Sequence, residues 1–259
     1  MAASKPVLIL GSSPNVMACK DWPKSRFSAI VAINNAWQVR DDWDYHIAPD
    51  DFPQDRHPAD LKPTQQRIGS EDYVPANNLY GGIIYAGGTM AFSAGYWALA
   101  TLKPSMMVFA GCDMVYPKLG KTHFYGAGTA DPLRQDITLR NLEAKSVRLM
   151  MHAAQQGCTC VRALSKESRL LFPSVTLDDL TDSSHGPIMR DASEFQRAKD
   201  LEQDLGYMVE SGRYWESTPS FDVSQIDSID DTWLNLCTNV GDQPLRLQVN
   251  ARMRDQIVN

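Results

Sequence analysis

The sequence predicts an α/β fold: a mostly parallel sheet with flanking helices, followed by an α-rich C-terminal appendage. Unbroken apolar runs at Val7–Leu10 and Ala29–Ile33, and the largely apolar segment 105–110, are typical of strands buried on both faces of a parallel sheet. Helix-like segments occupy residues 90–102 and 136–156. Strands that alternate with helices favour a parallel sheet between helical layers.

The remaining segments of the predicted α/β domain are shorter or less regular. Residues 43–48 and 158–164 are predicted as strands, and residues 81–85 as a further strand. Residues 52–78 are rich in Pro, Asp, Gln and Arg and show little periodicity, which predicts an irregular excursion. Residues 173–180 are predicted to close the domain.

A change in composition after Asp182 predicts two domains. Residues 1–182 would form the α/β domain, and residues 183–259 a helical appendage without strand–helix alternation. Within the appendage, residues 193–212 and 245–258 are predicted as helices. The appendage would cover the core or form a dimer surface, so a homo-oligomer is one expected assembly.

The composition of the 259 residues is that of a globular, acidic protein. Hydrophobic residues make up 43% of the chain, enough for a core, and the formal net charge is −6. This charge argues against a general binder of nucleic acid or anionic membrane. No apolar run approaches the roughly 20 residues of a transmembrane segment, and no secretory signal is recognisable, which predicts a cytoplasmic protein. The five cysteines are predicted to be free thiols.

Small polar residues follow three of the predicted strands. They are Gly11, Ser12, Ser13 and Asn15 after the first strand, Asn34 and Asn35 after the second, and Asp50 and Asp51 after the third. Because the carboxyl ends of parallel strands meet at one edge of the sheet, where ligands bind, these residues are predicted to line a site. Asn and Asp also favour turns without any ligand, which is the simpler interpretation.

Two further motifs belong to the same predicted edge. Gly87, Gly88 and Thr89 precede the helix predicted at residues 90–102, whose N-terminal amides would attract an anion. Glycines at this position would also allow close packing of the helix on the sheet. Asp113 follows the strand at residues 105–110, in the order strand, Gly, polar residue.

A long polar loop, residues 116–134, carries the most reactive set of side chains. Structureless loops of this length are usually functional or disordered, and the aromatic residues and glycines of this one suggest order. Its candidate side chains are Tyr116, Lys118, Lys121, His123, Tyr125 and Arg134.

The order of these motifs resembles the bacterial lipooligosaccharide sialyltransferases and the related motility-associated glycosyltransferase-like proteins. The resemblance covers roughly residues 5 to 180 and includes Gly-x-x-Pro, Gly-Gly-Thr, Gly-x-Asp-x-x-Tyr and Ala-Leu-Ser-x-x-Ser. It implies a Rossmann-like domain that binds a nucleotide sugar, possibly one linked to cytidine monophosphate. The implied reaction is inverting transfer to a glycan or small-molecule acceptor, with no metal or other cofactor.

The resemblance also implies roles for individual residues. The first loop and Asn34 or Asn35 would hold the nucleotide, and the Gly-Gly-Thr turn would face the donor. Tyr116 and Tyr125 are the nearest matches to the tyrosines that donate to the leaving phosphate, and His123 is the nearest candidate for the base.

The sequence departs from the family pattern at three places. The first loop reads Gly-Ser-Ser-Pro-Asn, where the family usually has Gly-Asn-Gly-Pro-Ser. Gly87 stands where a Ser is common. His123 lies further upstream of the helix predicted from residue 136 than the base of the family does.

Three functional hypotheses remain open on the sequence alone. His123 suits a general base because the ordinary pKa of His is about 6.5, although it could instead anchor the loop. Asp50, Asp51 and Asp113 could instead bind a divalent ion that bridges a diphosphate, in a magnesium-dependent diphosphate-sugar or pyrophosphate-transfer enzyme. A non-catalytic nucleotide-binding or assembly protein would keep the fold without turnover.

Overall fold

The computed structural model of the chain describes residues 5–117, 120–128, 131–181, 191–217 and 220–238. Seven strands form one sheet: β1 (Val7–Leu10), β2 (Ala29–Ile33), β3 (Tyr45–Ile47), β4 (Gln66–Ile68), β5 (Met106–Ala110), β6 (Thr159–Ala163) and β7 (Ser174–Val175). Every neighbouring pair is parallel, in the order β4-β3-β2-β1-β5-β6-β7. The predicted α/β fold with a parallel sheet is confirmed, and it is Rossmann-like.

The strand order reverses at β1. From β1 the chain moves outward through β2, β3 and β4, and β5 then returns to pair with the other edge of β1. Leu10 lies opposite Ala32 on one side and Ala110 on the other, so the three central strands run in register to their carboxyl ends. In open α/β sheets this reversal is the position of the ligand crevice.

Helices of two kinds cover the two faces of the sheet. The α-helices are α1 (Ser70–Asn78), α2 (Ile83–Ala86), α3 (Met90–Thr101), α4 (Leu142–Gln155), α5 (Ala192–Leu205) and α6 (Val223–Thr238). One face of the sheet packs against α-helices, including α3 and α4. The other face packs against short 3-10 helices, among them Pro14–Asp21 and Asn34–Val39. Both faces of the sheet are therefore shielded from solvent.

Strand β1 shows why its apolar residues do not alternate with polar ones. Val7 and Ile9 belong to the hydrophobic cluster that includes α3 and α4, whereas Leu8 and Leu10 belong to the cluster on the opposite face. None of the four residues is more than 1% exposed. Burial of a side chain of this size contributes about 1.5–3 kcal/mol, so both faces favour an apolar residue at every position.

The prediction of a strand at residues 81–85 is wrong, because this segment contains the short helix α2. Gly81 and Gly82 turn the chain with φ angles of 94° and 87°, in the left-handed region that glycine enters without strain. The apolar residues that follow form one helical turn. A short apolar run does not by itself distinguish a buried strand from a buried turn of helix.

Residues 52–78 are only partly irregular, since they contain β4 and α1. Strand β4 lies at the edge of the sheet, and its Gln66 and Arg67 are exposed, so it lacks the apolar run of the central strands. Helix α1 contains Pro75, a residue that ordinarily indicates a helix break.

The helix predicted at residues 136–156 begins later than expected. Asp136 starts a 3-10 turn at Ile137–Leu139, and Asn141 then caps α4 by accepting a hydrogen bond from the amide of Ala144 at 3.0 Å. This places Asp136 outside the α-helix, at the edge of the sheet where the cavity lies.

Helices α5 and α6 pack against α4 and share its hydrophobic cluster. The indole N–H of Trp233 in α6 donates to Glu202 of α5 at 2.7 Å, and Glu202 accepts two hydrogen bonds of 2.7 Å from Arg148 of α4. Breaking a buried pair of this kind costs about 3–5 kcal/mol, so it fixes the three helices together. The described residues after β7 add no strand to the sheet, and the helix predicted at residues 245–258 lies outside the described residues.

The composition led to two predictions, one about the cysteines and one about membrane-spanning segments. None of the five cysteines forms a disulfide and all five are buried, which agrees with the prediction of thiols. In the part of the chain that the structure describes, no helix combines the length and the apolar character that crossing a membrane requires.

His152 of α4 lies in a closed aromatic environment. The ring is only 4% exposed, and its Nε2 atom has no hydrogen-bond partner among the described residues. Its ring neighbours are Tyr80, Tyr96, Phe195 and Trp233. Burial, reinforced by the positive charges of Arg148 and Lys199, holds the pKa of His152 well below its usual value.

The environment of His152 predicts a loss of stability in acid. His152 is neutral in the folded state but is protonated in the unfolded state below about pH 6.5, so the free energy of unfolding should fall as pH decreases through that value. His152→Phe should remove up to about 1.4 kcal/mol per pH unit from this dependence. Urea unfolding between neutral pH and about pH 5 measures it. Equal pH dependence in the wild type and His152→Phe would contradict the interpretation.

Candidate functional site

A cavity of about 1360 Å³ lies at the carboxyl ends of the central strands. Its floor is formed by residues that directly follow β1, β2, β3 and β5, and its walls by α1, the start of α3, the loop after β5 and residues 211–216. The position coincides with the reversal of strand order at β1, where the architecture favours ligand binding.

The first loop is fixed against the loop after β5 by backbone contacts. The amide of Gly11 donates to the carbonyl of Ala110 at 2.8 Å, and the amide of Ser13 donates to the carbonyl of Gly111 at 2.9 Å. A Cβ atom on Gly11 would lie only 2.3 Å from the Gly111 oxygen, so glycine is required for this approach. The contact holds Ser12 in the floor of the cavity.

Two non-glycine residues of the cavity floor have left-handed backbone conformations. Asn34 has a φ of 50° and Met114 a φ of 54°, conformations that cost roughly 1–2 kcal/mol for an L-residue. Such strain collects at functional sites when the surrounding structure enforces it. At Asn34 the backbone carbonyl accepts a hydrogen bond from Nε2 of His46 at 2.9 Å. Burial lowers the pKa of His46 to about 4, so its ring is neutral at pH 7.

Asn35 offers a side-chain amide to the cavity. The residue lines the cavity and is only 5% exposed, and no described residue forms a hydrogen bond with its side chain. A buried amide normally has a partner, so this group is suited to bind a polar ligand.

The N-terminus of α3 opens onto the cavity. Thr89 caps the helix by accepting a hydrogen bond from the amide of Phe92 at 3.3 Å, and Met90 and Ala91 line the cavity. The amides of these two residues have no acceptor among the described residues. Free amides and the helix dipole together favour an anion at this position.

The two glycines before α3 have different surroundings. Gly87 has a φ of 94°, and a Cβ atom there would lie 2.8 Å from the ring of Phe92, so it serves close packing and does not line the cavity. Gly88 does line it, and its amide donates to the hydroxyl of Thr138 at 3.0 Å.

A polar network that sequence reasoning missed connects the cavity walls. Asp136 accepts hydrogen bonds from the Tyr214 hydroxyl at 2.6 Å, from the Thr138 hydroxyl at 2.6 Å and from Arg134 at 3.2 Å. Burial by itself raises the pKa of Asp136, but the hydrogen bonds from Thr138 and Tyr214 outweigh it and the pKa lies below its usual value. The ionised carboxylate therefore holds Arg134 and Tyr214 at the cavity.

The polar loop after β5 reaches the first loop and lines the cavity. The amide of Phe124 donates to the carbonyl of Ser12 at 2.9 Å. The His123 ring is 5% exposed and stacks on Tyr125, with 5.0 Å between centroids and 22° between planes. His123, Tyr125 and Tyr116 all line the cavity, so the predicted base and both predicted tyrosines lie together.

Asp113 and Asn15, although predicted as site residues, lie outside the cavity lining. The amide of Asn15 donates to the Ser165 hydroxyl at 2.6 Å and to Asp113 at 3.3 Å, and the Ser165 hydroxyl also donates to Asp113. The three side chains join the loops after β1, β5 and β6 behind the cavity. Ser13 supports the same loop without lining the cavity, and Lys118 lies outside the described residues.

The three carboxylates considered for a divalent ion are not assembled. Asp50 and Asp51 line the cavity, whereas Asp113 is engaged with Asn15 and Ser165. Across the described ranges, no group of three or more His, Cys, Asp or Glu side chains is arranged to hold a metal.

The charges around the cavity are mixed. Arginines at three positions face it, of which Arg134 is held by Asp136 and Arg213 forms an ion pair of 3.6 Å with Glu216. Arg56 has no ion-pair partner among the described residues. The cavity therefore offers cationic groups to an anionic ligand although the chain as a whole is acidic.

Comparison with protein-family models, with curated proteins and with solved structures finds no match to this chain.

The close approach at Gly11 predicts a strong effect of Gly11→Ala. The added methyl group would meet the backbone oxygen of Gly111 at 2.3 Å, and overpacking of this kind costs about 1–3 kcal/mol. Urea unfolding should show that loss. Gly69→Ala is the control, because its methyl group would meet only the exposed carboxylate of Glu71, which can move. Only the poorer capping of α1 by Ala should remain, at about 0.5–1 kcal/mol. Similar losses in both variants would contradict the requirement.

Proposed function

We propose that this protein is a glycosyltransferase of the sialyltransferase-like kind, which transfers a sugar from a nucleotide donor with inversion and without a metal. The observation that carries the proposal is the placement of His123 and two tyrosines in the same cavity as the N-terminus of α3. A base for the acceptor and an anion site for the leaving phosphate are the two groups that this reaction needs.

The donor phosphate is proposed to lie at the start of α3. The amides of Met90 and Ala91 would donate to its oxygens, and the helix dipole adds to the attraction. Arg134, oriented by Asp136, supplies a positive charge on the same side of the cavity. Asn35 supplies the amide for the nucleoside, for which we favour cytidine.

The transfer step is a single displacement. The acceptor hydroxyl oxygen bonds to the anomeric carbon while the bond from that carbon to the phosphate oxygen breaks on the opposite face, which inverts the centre. His123 takes the proton of the hydroxyl, and the phosphate leaves with the electron pair of the broken bond. Tyr116 and Tyr125 donate hydrogen bonds to the phosphate as its charge develops.

The hydrogen bonds of Thr122 support the required tautomer of His123. The Thr122 hydroxyl donates to the carbonyl of Gly128 at 3.3 Å, and its oxygen lies 2.9 Å from Nδ1 of His123. The amide of Gly128 also donates to this oxygen at 2.9 Å. In the proposed mechanism the Thr122 oxygen accepts from Nδ1–H as well, so that Nε2 is the ring nitrogen that takes the proton.

We also propose a cytoplasmic location. None of the five cysteines forms a disulfide, and thiols persist in a reducing compartment.

A nucleotide screen tests the proposal. Binding of cytidine, uridine and adenosine mono- and diphosphates is measured by calorimetry with and without magnesium, and turnover is measured with the matching sugar donors. We expect cytidine monophosphate to bind without metal and its sugar conjugate to be turned over. Magnesium-dependent binding of a diphosphate would favour the diphosphate-sugar or pyrophosphate-transfer enzyme, and binding without turnover of any donor would favour a non-catalytic protein.

His123→Ala should separate catalysis from binding. Turnover should fall about 10²–10⁴-fold, the usual contribution of a positioned base. Nucleotide affinity should stay nearly constant, because the base acts on the acceptor. Tyr125→Phe should lower turnover but keep the pH profile, since it removes only a hydrogen bond to the phosphate.

The control for these variants is Lys121→Ala, in the same loop but exposed and outside the cavity lining. Steady-state rates across pH and calorimetry on each variant give the comparison. Wild-type turnover in His123→Ala would remove the residue from the mechanism.

A further inference from the structure

Three carboxylates line the cavity at the carboxyl ends of β3 and β4. Asp50 and Asp51 follow β3, and Glu71 follows β4 in the first turn of α1. Ile47 and Ile68 are paired in the register of these two parallel strands, so the segments that carry the carboxylates start side by side. We call Asp50, Asp51 and Glu71 the acidic corner of the cavity.

The turn that carries two of these carboxylates has an anchored backbone. The amide of Phe52 donates to the carbonyl of Pro49 at 3.0 Å, which closes a tight turn with Asp50 and Asp51 at its centre. The Phe52 side chain is buried and packs edge to face against His57, with 4.9 Å between ring centroids. The two carboxylates therefore belong to a fixed segment of the cavity wall.

Tyr73 adds a buried hydroxyl to the acidic corner. The residue lines the cavity and is only 7% exposed, and its hydroxyl forms no hydrogen bond with any described residue. Burial raises the pKa of Tyr73 to about 12, and the negative charges of Asp50, Asp51 and Glu71 add to this effect. All three carboxylates are thus close enough to act on the phenol. Because a buried polar group normally has a partner, this hydroxyl is suited to bind a ligand.

The negative charge of the acidic corner is not neutralised within the described part of the chain. None of the three carboxylates forms an ion pair or accepts a hydrogen bond from a described residue. Arg56 lines the same cavity but forms no ion pair with them. Like charges that face one cavity repel one another, so a positively charged ligand would be attracted and would relieve this repulsion.

The arrangement suits an organic cation better than a metal ion. Mg²⁺ and Ca²⁺ need several oxygens within about 2.0–2.6 Å of one point, and the described residues include no group of candidate ligands arranged in this way. An ammonium group instead donates three hydrogen bonds in different directions, at about 2.7–2.9 Å. Val74 and Ile83 line the same cavity and offer apolar surface to the carbon chain of an amine.

We infer that the acidic corner binds a protonated aliphatic amine, whose N–H groups donate to the carboxylates and to the Tyr73 hydroxyl oxygen. Strand β2 separates β3 from β1, so the amine would lie two strand spacings, roughly 10 Å, from the loop after β1. The acidic corner includes neither His123 nor the start of α3. The inference therefore goes beyond the proposed function and does not depend on it.

Saturation-transfer NMR on the full chain tests this site. The probes are 1,4-diaminobutane and its neutral counterpart 1,4-butanediol. We expect the wild type to bind the diamine and not the diol. The double variant Asp50→Asn/Asp51→Asn should weaken diamine binding on the order of tenfold, since it removes two charged acceptors. Tyr73→Phe should weaken binding about threefold and unfold at the same urea concentration as the wild type, because no described residue bonds the hydroxyl it removes.

The matched control is Asp55→Asn, which makes the same change of charge at an exposed residue outside the cavity lining. It should bind the diamine as the wild type does. The inference is refuted if the diamine does not bind, or if the double variant or Tyr73→Phe binds it as tightly as the wild type. An equal loss in Asp55→Asn would refute it too, because the attraction would then be general to an acidic protein. Displacement of the diamine by equimolar Mg²⁺ would assign the carboxylates to a metal and would equally refute it.

Discussion

The backbone contact between the loops after β1 and β5 determines the position of everything else in the cavity. Gly11 and Gly111 approach so closely that a Cβ atom on Gly11 would lie 2.3 Å from the Gly111 oxygen, and two amide–carbonyl hydrogen bonds of 2.8 and 2.9 Å join the loops. Ser12 is thereby fixed at the cavity floor, and its carbonyl in turn accepts the amide of Phe124. Phe124 is the residue next to His123, so this hydrogen bond ties the position of His123 to the first loop.

The central strands could be predicted because their environment is simple. Strands β1, β2 and β5 are buried on both faces, so an unbroken apolar run is their direct consequence in the sequence. Strand β4 lies at the edge of the sheet and two of its three residues are exposed, so its sequence shows no apolar run. Helix α2 has a single turn, which is too short to show a helical period in the sequence. Element boundaries were also missed where one side chain decides them, as Asn141 does at the start of α4.

Several of the predicted cavity residues, among them Gly11, Asn34 and Gly88, lie directly after a strand or before a helix. Parallel topology then brings them together without any further information. His123, Tyr125 and Arg134 were predicted instead from the reactive side chains of the long loop after β5. Tyr214 could not be found in either way, because its contact with Asp136 joins residues 78 positions apart. Asp113 follows β5 as predicted, but its carboxylate accepts hydrogen bonds from Asn15 and Ser165. These two residues belong to the loops after β1 and β6, so the direction of the Asp113 side chain could not be predicted from the sequence around β5.

We propose that the phosphate of a nucleotide lies at the start of α3, in the cavity beside β1 and β5. A crystal structure of the protein with cytidine monophosphate would show this position. We expect phosphate oxygens within hydrogen-bond distance of the amides of Met90 and Ala91, with the nucleoside towards Asn35. A phosphate bound elsewhere, or a nucleotide whose base occupies the start of α3, would contradict it.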